Sequence, residues 1–435
     1  MTGFLIAAFW LGSLSLLNPS MTIGSAATEV AEQAKLPPAE LMRYFGYNVE
    51  VHKVTTADGY ILEVDRILPN SKDNRTEQRT PMLLVHGLLA NAVSWVANLP
   101  SQSPGFLLAD DGFDVWLLNS RGVPQSNYHV NLTTNDPKFW KWRQVCYMGP
   151  FLFCFIMYVI IIMNDVAYLQ RSFEQVGTFD IAATIDFILN VTGFSKVGLL
   201  TTSQGTTSSL VLLSMRPEYN DKVNIFVGYA PVGNITYFTS PIRLLIPFSE
   251  EVKGVNDFIT RGGFLVTNPV QQATLATTCD SVIREICYAP LAILFGKNPK
   301  QHNSTRVPVY VANLPVGSSS QNVLHYAQVY RAKNLVRFDY GKEENMVKYG
   351  QADPPPYPLE KIRVPFAIYQ GLGDIFADPE DVDDLAERLQ DVLVLKQVVP
   401  DPEFGHLDFI FGYNATDILH RHMINLVSNY TSTSA

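Results

Sequence analysis

Ser203 is the residue with the strongest claim to chemistry. The string Thr201-Thr202-Ser203-Gln204-Gly205 follows an apolar run, Lys196 to Thr202, and precedes a stretch that can be helical through Met215. A serine on a sharp strand-to-helix turn carries its hydroxyl out above the edge of a sheet. The same turn brings the next backbone N–H, that of Gln204, to where an oxyanion would develop, and the helix N-terminus adds partial positive charge there. The pentapeptide departs from Gly-x-Ser-x-Gly at its first position, where Thr201 adds a branched side chain; Gly205 keeps the other side open. Taken alone, it leaves a second reading open, in which Ser203 is one hydroxyl of a Ser/Thr-rich turn.

A serine hydroxyl is a weak nucleophile without a base. The chain offers an acid and a base after it, in the order Ser, Asp, His. Asp374 stands in Gly371-Leu372-Gly373-Asp374, just past the apolar run Pro365 to Gln370. A carboxylate there would hold the imidazole tautomer and stabilise the imidazolium. Asp378, Asp381, Asp383 and Asp384 read instead as the acid-rich start of a helix. His406, in Phe404-Gly405-His406-Leu407-Asp408, follows the last strand-like run and is the candidate general base. His52, His129, His302, His325, His420 and His422 lack that strand-end context, and the last two look like polar positions of a terminal helix. A second oxyanion donor is expected after an early strand. His86-Gly87-Leu88 ends the run Pro81 to Val85, which points to the N–H of Leu88, with His86 itself structural.

These residues need a scaffold that gathers strand ends. Short apolar runs at Pro81–Val85, Phe113–Leu118, Lys196–Thr202, Val223–Tyr229, Pro365–Gln370 and Val392–Val399 alternate with helix-length segments. That rhythm implies an α/β fold with a mostly parallel central sheet and helices on both faces. Residues 234–361 break the rhythm: they are rich in Pro and aromatics and stand between two core strands. They are read as a mainly helical cap or lid, inserted into a core formed by residues 28–233 and 362–435. The alternative is an ordinary run of surface helices.

The bulk properties narrow the class. The chain has 435 residues, 47% of them hydrophobic and 17% charged, with a net charge of −9. One large domain with an elaboration is expected. An acidic chain without a Lys/Arg block argues against a nucleic-acid partner, and nothing in the sequence calls for a protein partner. Phe4 to Leu17 is an uncharged apolar run followed by small residues Ser25 to Ala27, so residues 1–27 read as a signal peptide. An uncleaved anchor is the alternative, because the first three residues carry no Lys or Arg. Seven Asn-x-Ser/Thr sequons, at Asn74, Asn131, Asn190, Asn234, Asn303, Asn414 and Asn429, add to the case for the secretory route. Of the four cysteines, Cys279 and Cys287 are close enough in sequence to close a short disulfide loop in an oxidising compartment; two reduced buried thiols are the alternative. No Cys/His cluster has zinc spacing, so no metal is expected.

At these residues the chain resembles the acid lipase family of gastric and lysosomal lipases, insect members included. The segments that carry the resemblance are Val54 to Tyr60, Leu84 to Leu89, Ala109 to Gly122, Tyr229 to Val232, Leu372 to Val382 and Gly405 to Ile410. It implies an α/β-hydrolase fold, a triad of Ser203, Asp374 and His406, and oxyanion donors at Leu88 and Gln204. It also implies a disulfide between Cys279 and Cys287 and a movable lid within the cap. The chain departs from the family in two places. Where the family has Gly-His-Ser-Gln-Gly, both leading residues here are Thr. The family pattern beginning at Phe139-Trp140-Lys141-Trp142 resumes only at Ser172, and residues 143–171 form an extra block that holds Cys146 and Cys154. Within that block Val145 to Met163 is uncharged over nineteen residues, long enough to span a bilayer. The block is read as an intron translated in frame, with a membrane-dipping insertion as its rival.

The expectation is a secreted or lysosomal lipase that hydrolyses triacylglycerols or sterol esters at a lipid–water interface, with no cofactor. The alternatives are a catalytically silent lipid-binding or storage relative, motivated by Thr201-Thr202, and a membrane-associated protein.

Overall fold

The computed structural model describes residues 29–69, 80–132 and 172–431, apart from 261, 262, 266, 268, 281 and 282. The signal-like segment, Asn74 and the whole block 143–171 with its apolar run fall outside the described residues. Among those described, no helix is long and apolar enough to cross a membrane.

The chain enters through a hairpin, β1 (Val49–Thr55) and β2 (Tyr60–Ile67), paired antiparallel from Val49 opposite Ile67 to Thr55 opposite Ile61. The strand rhythm read from the sequence missed this pair, although Asp58-Gly59 between two alternating runs is a hairpin signal. Gly59 takes φ +91°, a conformation that favours glycine. Next come β3 (Met82–Val85), β4 (Val115–Asn119) and the two-residue β5 (Tyr128–His129), which pairs with β2. Then follow β6 (Val197–Thr202) and β7 (Val223–Tyr229).

After β7 the chain leaves this sheet until Phe366. Among the described residues it forms six α-helices, Ser249–Thr260, Pro269–Thr278, Arg284–Phe295, Val307–Asn313, Ser320–Ala332 and Lys342–Tyr349. A two-stranded ribbon of β8 (Gly263–Phe264) and β9 (Ser318–Ser319) joins them. It returns as β10 (Phe366–Gln370) and β11 (Leu393–Val398). The sheet runs β1-β2-β4-β3-β6-β7-β10-β11, antiparallel up to β4 and parallel from β4 to β11. The expected α/β-hydrolase architecture is therefore present, with a mostly parallel sheet extended by an antiparallel hairpin.

The physical basis is plain in the central strands. Every residue of β3, β4, β6, β7 and β10 is buried, as expected for strands covered by helices on both faces. Strand β11 differs: its side chains alternate between half-buried and exposed, because it closes the edge of the sheet. The parallel arrangement puts the carboxyl ends of β3, β6, β10 and β11 along one edge. The segments holding Leu88, Ser203, Asp374 and His406 leave from that edge.

Cys279 and Cys287 are disulfide-bonded, with 5.9 Å between Cα atoms. Asn131, Asn190, Asn414 and Asn429 are exposed. Asn234 and Asn303 are each only 7% exposed. The Asn234 side-chain oxygen accepts from Arg388 at 3.4 Å, and that of Asn303 accepts from the Thr305 hydroxyl at 2.7 Å. Both side chains are thus largely packed, unlike those of the four exposed sequons.

Candidate active site

Ser203 sits between β6 and the helix Gln204–Met215 with φ 53° and ψ −121°, a strained conformation that no regular element uses. The strain is held by neighbours. The Ser203 N–H donates to the carbonyl of Tyr229 at the end of β7, 3.1 Å away. The helix meets the end of β3 so closely that a Cβ on Gly205 would lie 2.3 Å from the Val85 carbonyl oxygen, so only glycine fits there. At the other flank Thr201 is accommodated. It is fully buried, its hydroxyl lies 2.7 Å from that of Thr206, and it donates to the Val227 carbonyl at 3.1 Å. The branched side chain thus bridges β6, β7 and the helix rather than distorting the turn.

Three side chains remote in sequence form one line. The Ser203 hydroxyl oxygen lies 2.9 Å from His406 Nε2. His406 Nδ1 lies 2.9 Å and 3.1 Å from the two carboxylate oxygens of Asp374. One of those oxygens, Oδ1, also accepts the backbone N–H groups of Phe376 and Ala377, each at 2.8 Å, which pins the carboxylate in its turn. The turns carrying Asp374 and His406 are joined by the bond from Gly373 N–H to the Phe404 carbonyl, 3.0 Å. All three side chains are buried, at 7%, 5% and 3% exposure for Ser203, His406 and Asp374.

Leu88 and Ser203 line the same small cavity. Among the described residues no acceptor pairs with the N–H of Leu88 or of Gln204. Backbone donors without a partner are suited to receive an oxyanion. Apart from Thr202 and His406 the rest of the wall is apolar, including Phe295, Leu314, Phe376, Leu407 and Ile410.

Sequence reasoning missed what surrounds the imidazole. Phe295, the last residue of its helix, stacks on His406 with ring centroids 5.7 Å apart at 12°. Phe376 lies at 5.3 Å, and the two phenyl rings are themselves 5.4 Å apart. Together they cover the His406 ring, which is 5% exposed. Nothing in the sequence distinguishes these two phenylalanines from the other aromatics of the chain. The competing residues fall elsewhere. Asp378 caps the helix Pro379–Arg388 by accepting the Glu380 N–H at 3.0 Å. Asp381 accepts the N–H groups of Thr236 and Tyr237, each at 2.9 Å. His420 is fully buried, not a surface position, with Nδ1 3.2 Å from the Tyr229 hydroxyl.

The arrangement can activate a hydroxyl, shuttle its proton and stabilise an oxyanion beside an apolar chamber. Comparison with known proteins agrees. Residues 80–413 match the family described as "alpha/beta hydrolase fold", and residues 38–99 match the "Partial alpha/beta-hydrolase lipase region". The chain is 33% identical over 430 residues to lipase member K of Homo sapiens, covering 98% of both chains. It is 33% identical over 408 residues to gastric triacylglycerol lipase of Bos taurus, covering 91% and 92%. To the human lysosomal acid lipase/cholesteryl ester hydrolase it is 32% identical over 414 residues, covering 94% of each.

Proposed function

The chain belongs to the α/β-hydrolase family of the gastric and lysosomal acid lipases, and from that premise we propose that Ser203, His406 and Asp374 are its catalytic triad. It is a lipase, a serine carboxylic ester hydrolase. The observation that carries the triad is the unbroken line of contacts from the Ser203 hydroxyl through His406 to Asp374 at the wall of an apolar chamber.

In this reading His406 takes the proton of Ser203 as the hydroxyl attacks the ester carbonyl. The N–H groups of Leu88 and Gln204 receive the oxyanion, and His406 then protonates the leaving alcohol. Water repeats the cycle on the acyl-enzyme. General-base catalysis contributes roughly 10²–10⁴-fold in such sites. The apolar wall suits a long acyl chain, so the substrates are neutral lipid esters, triacylglycerol or sterol esters, met at a lipid–water interface. Residues 234–361 act as the cap over this chamber. The exposed sequons Asn131, Asn190, Asn414 and Asn429 are its glycosylation sites on a secretory route, to the exterior or the lysosome.

The test is an alkyl phosphonate probe on the secreted protein, with the adduct located by mass spectrometry and Ser203→Ala as control. A stoichiometric adduct on Ser203 is expected. Folded protein that stays unlabelled in detergent would overturn the triad.

A further inference from the structure

One buried histidine beside the site has no part in the line just described. His86 leaves the end of β3 and is 4% exposed. Its Nε2 lies 3.2 Å from the backbone nitrogen of Ser120, directly after β4, and a backbone N–H can only donate. Nε2 is therefore the acceptor, and the Ser120 hydroxyl, 3.0 Å away, donates to it as well. The ring hydrogen must sit on Nδ1, which donates to the Gly87 carbonyl at 2.8 Å. Burial lowers the pKa of His86 to about 4, so the neutral ring keeps this pattern from neutral pH down to mildly acidic pH.

The Gly87 carbonyl and the Leu88 N–H belong to one planar trans peptide and point in opposite directions. Holding the carbonyl against the imidazole turns the N–H away from it. That peptide faces the nucleophile: a Cβ on Gly87 would lie 3.0 Å from Ser203 Cβ. Leu88 lines the chamber that Ser203 opens into. The loop is pinned beyond this peptide too, since Leu89 takes φ 60° and its carbonyl accepts from Val316 N–H at 2.9 Å. Among the described residues the Leu88 N–H has no acceptor, so its direction depends on what grips the other side of its peptide.

We propose that His86 is a positioning residue for ester hydrolysis: anchored to Ser120, its imidazole holds the Gly87–Leu88 peptide so that the Leu88 N–H faces the oxyanion. The proposal rests on the triad reading above. It assigns His86 neither proton transfer nor contact with substrate. The expected signature is a loss in kcat with KM little changed, because the contact it supports is made in the transition state.

The test measures hydrolysis of a soluble short-chain ester by the full chain carrying His86→Phe, His86→Asn or His86→Gln, beside wild type and Ser203→Ala. Asn can place an N–H where Nδ1 stands; Phe cannot, and Gln reaches toward Ser120 instead. His86→Phe is expected to lose about 10²-fold in kcat, the scale of one oxyanion donor. His86→Asn should recover at least about tenfold of that loss, with KM within about threefold throughout. Should the Phe variant not fold, His86→Asn against His86→Gln carries the same contrast, with Asn about tenfold faster. Equal losses in Asn and Gln, or a loss confined to KM, would overturn the role of His86 while leaving the triad intact. Hydrolysis that survives Ser203→Ala would overturn the triad reading itself.

Discussion

Replacing Asp374 by Asn tests the electrostatic half of the site almost without changing its shape. Asp374 Oδ1 accepts two backbone N–H groups, from Phe376 and Ala377, at 2.8 Å each. In the Asn variant only the amide oxygen can fill that position. The reverse orientation would set the NH₂ group against two donors and forfeit two buried hydrogen bonds, at about 1–3 kcal/mol each. A preference of roughly 2–6 kcal/mol leaves the reversed amide a minor state. The NH₂ group must then face His406 Nδ1, which lies 2.9 Å from Oδ2 in the native site. A donor at that point requires Nδ1 to be an acceptor and moves the ring hydrogen to Nε2, the atom that must take the Ser203 proton at 2.9 Å. The base is held in the wrong tautomer, and the imidazolium loses its counter-charge. The expected fall in kcat is about 10⁴-fold, the size this exchange has in serine hydrolases of unrelated fold, with folding retained. The assay is steady-state hydrolysis of a soluble ester, with circular dichroism to confirm the fold. An Asn variant that keeps activity within about tenfold of wild type would show that Asp374 does not set the tautomer, and the triad assignment would fail at its acid.

Two further predictions concern stability. Asp65 is fully buried in β2, with one oxygen bonded to Asn119 at 3.0 Å and the other unpaired, and burial raises its pKa to about 7. A carboxyl whose folded pKa lies above its unfolded value favours the fold at low pH, and that contribution is lost as pH rises from about 4 to about 7. Asp65→Asn should therefore gain stability over wild type at pH 8, by at most about 4 kcal/mol, and little at pH 4. Denaturant unfolding of both proteins at the two pH values reads the difference, and an equal difference at both would refute the charge-burial account. Cys279→Ser opens a loop with a sequence separation of 8. It should lower the unfolding free energy by roughly 2–3 kcal/mol; a variant as stable as wild type would mean that packing alone holds the loop.

Much of the site is legible because local chemistry demands it. A nucleophile on a strand-to-helix turn needs a small residue where the helix passes the neighbouring strand, and Gly205 meets that need against Val85. The candidate acid and base follow strands because parallel strand ends share an edge, so apolar runs ending at Gln370 and Val399 locate Asp374 and His406. The unexpected Thr201 is legible only in three dimensions. Its effect depends on Thr206 and on the carbonyl of Val227, a residue of the next strand. The same holds for Asn234, whose motif is intact in sequence and whose side chain packs beside Arg388, far along the chain.

The sequence by itself marked the positions of the central strands, the turn at Ser203, the candidates Asp374 and His406, and the family resemblance. Those features rest on short-range patterns: apolar runs, a turn, a strand end. Only the tertiary structure decided that Phe295 and Phe376 enclose His406 and that His420 is core. It also decided that His86 grips the peptide on which Leu88 sits. Each of these depends on contacts between residues brought together by packing, and a side chain's partners across the sheet leave no periodic trace in its own segment.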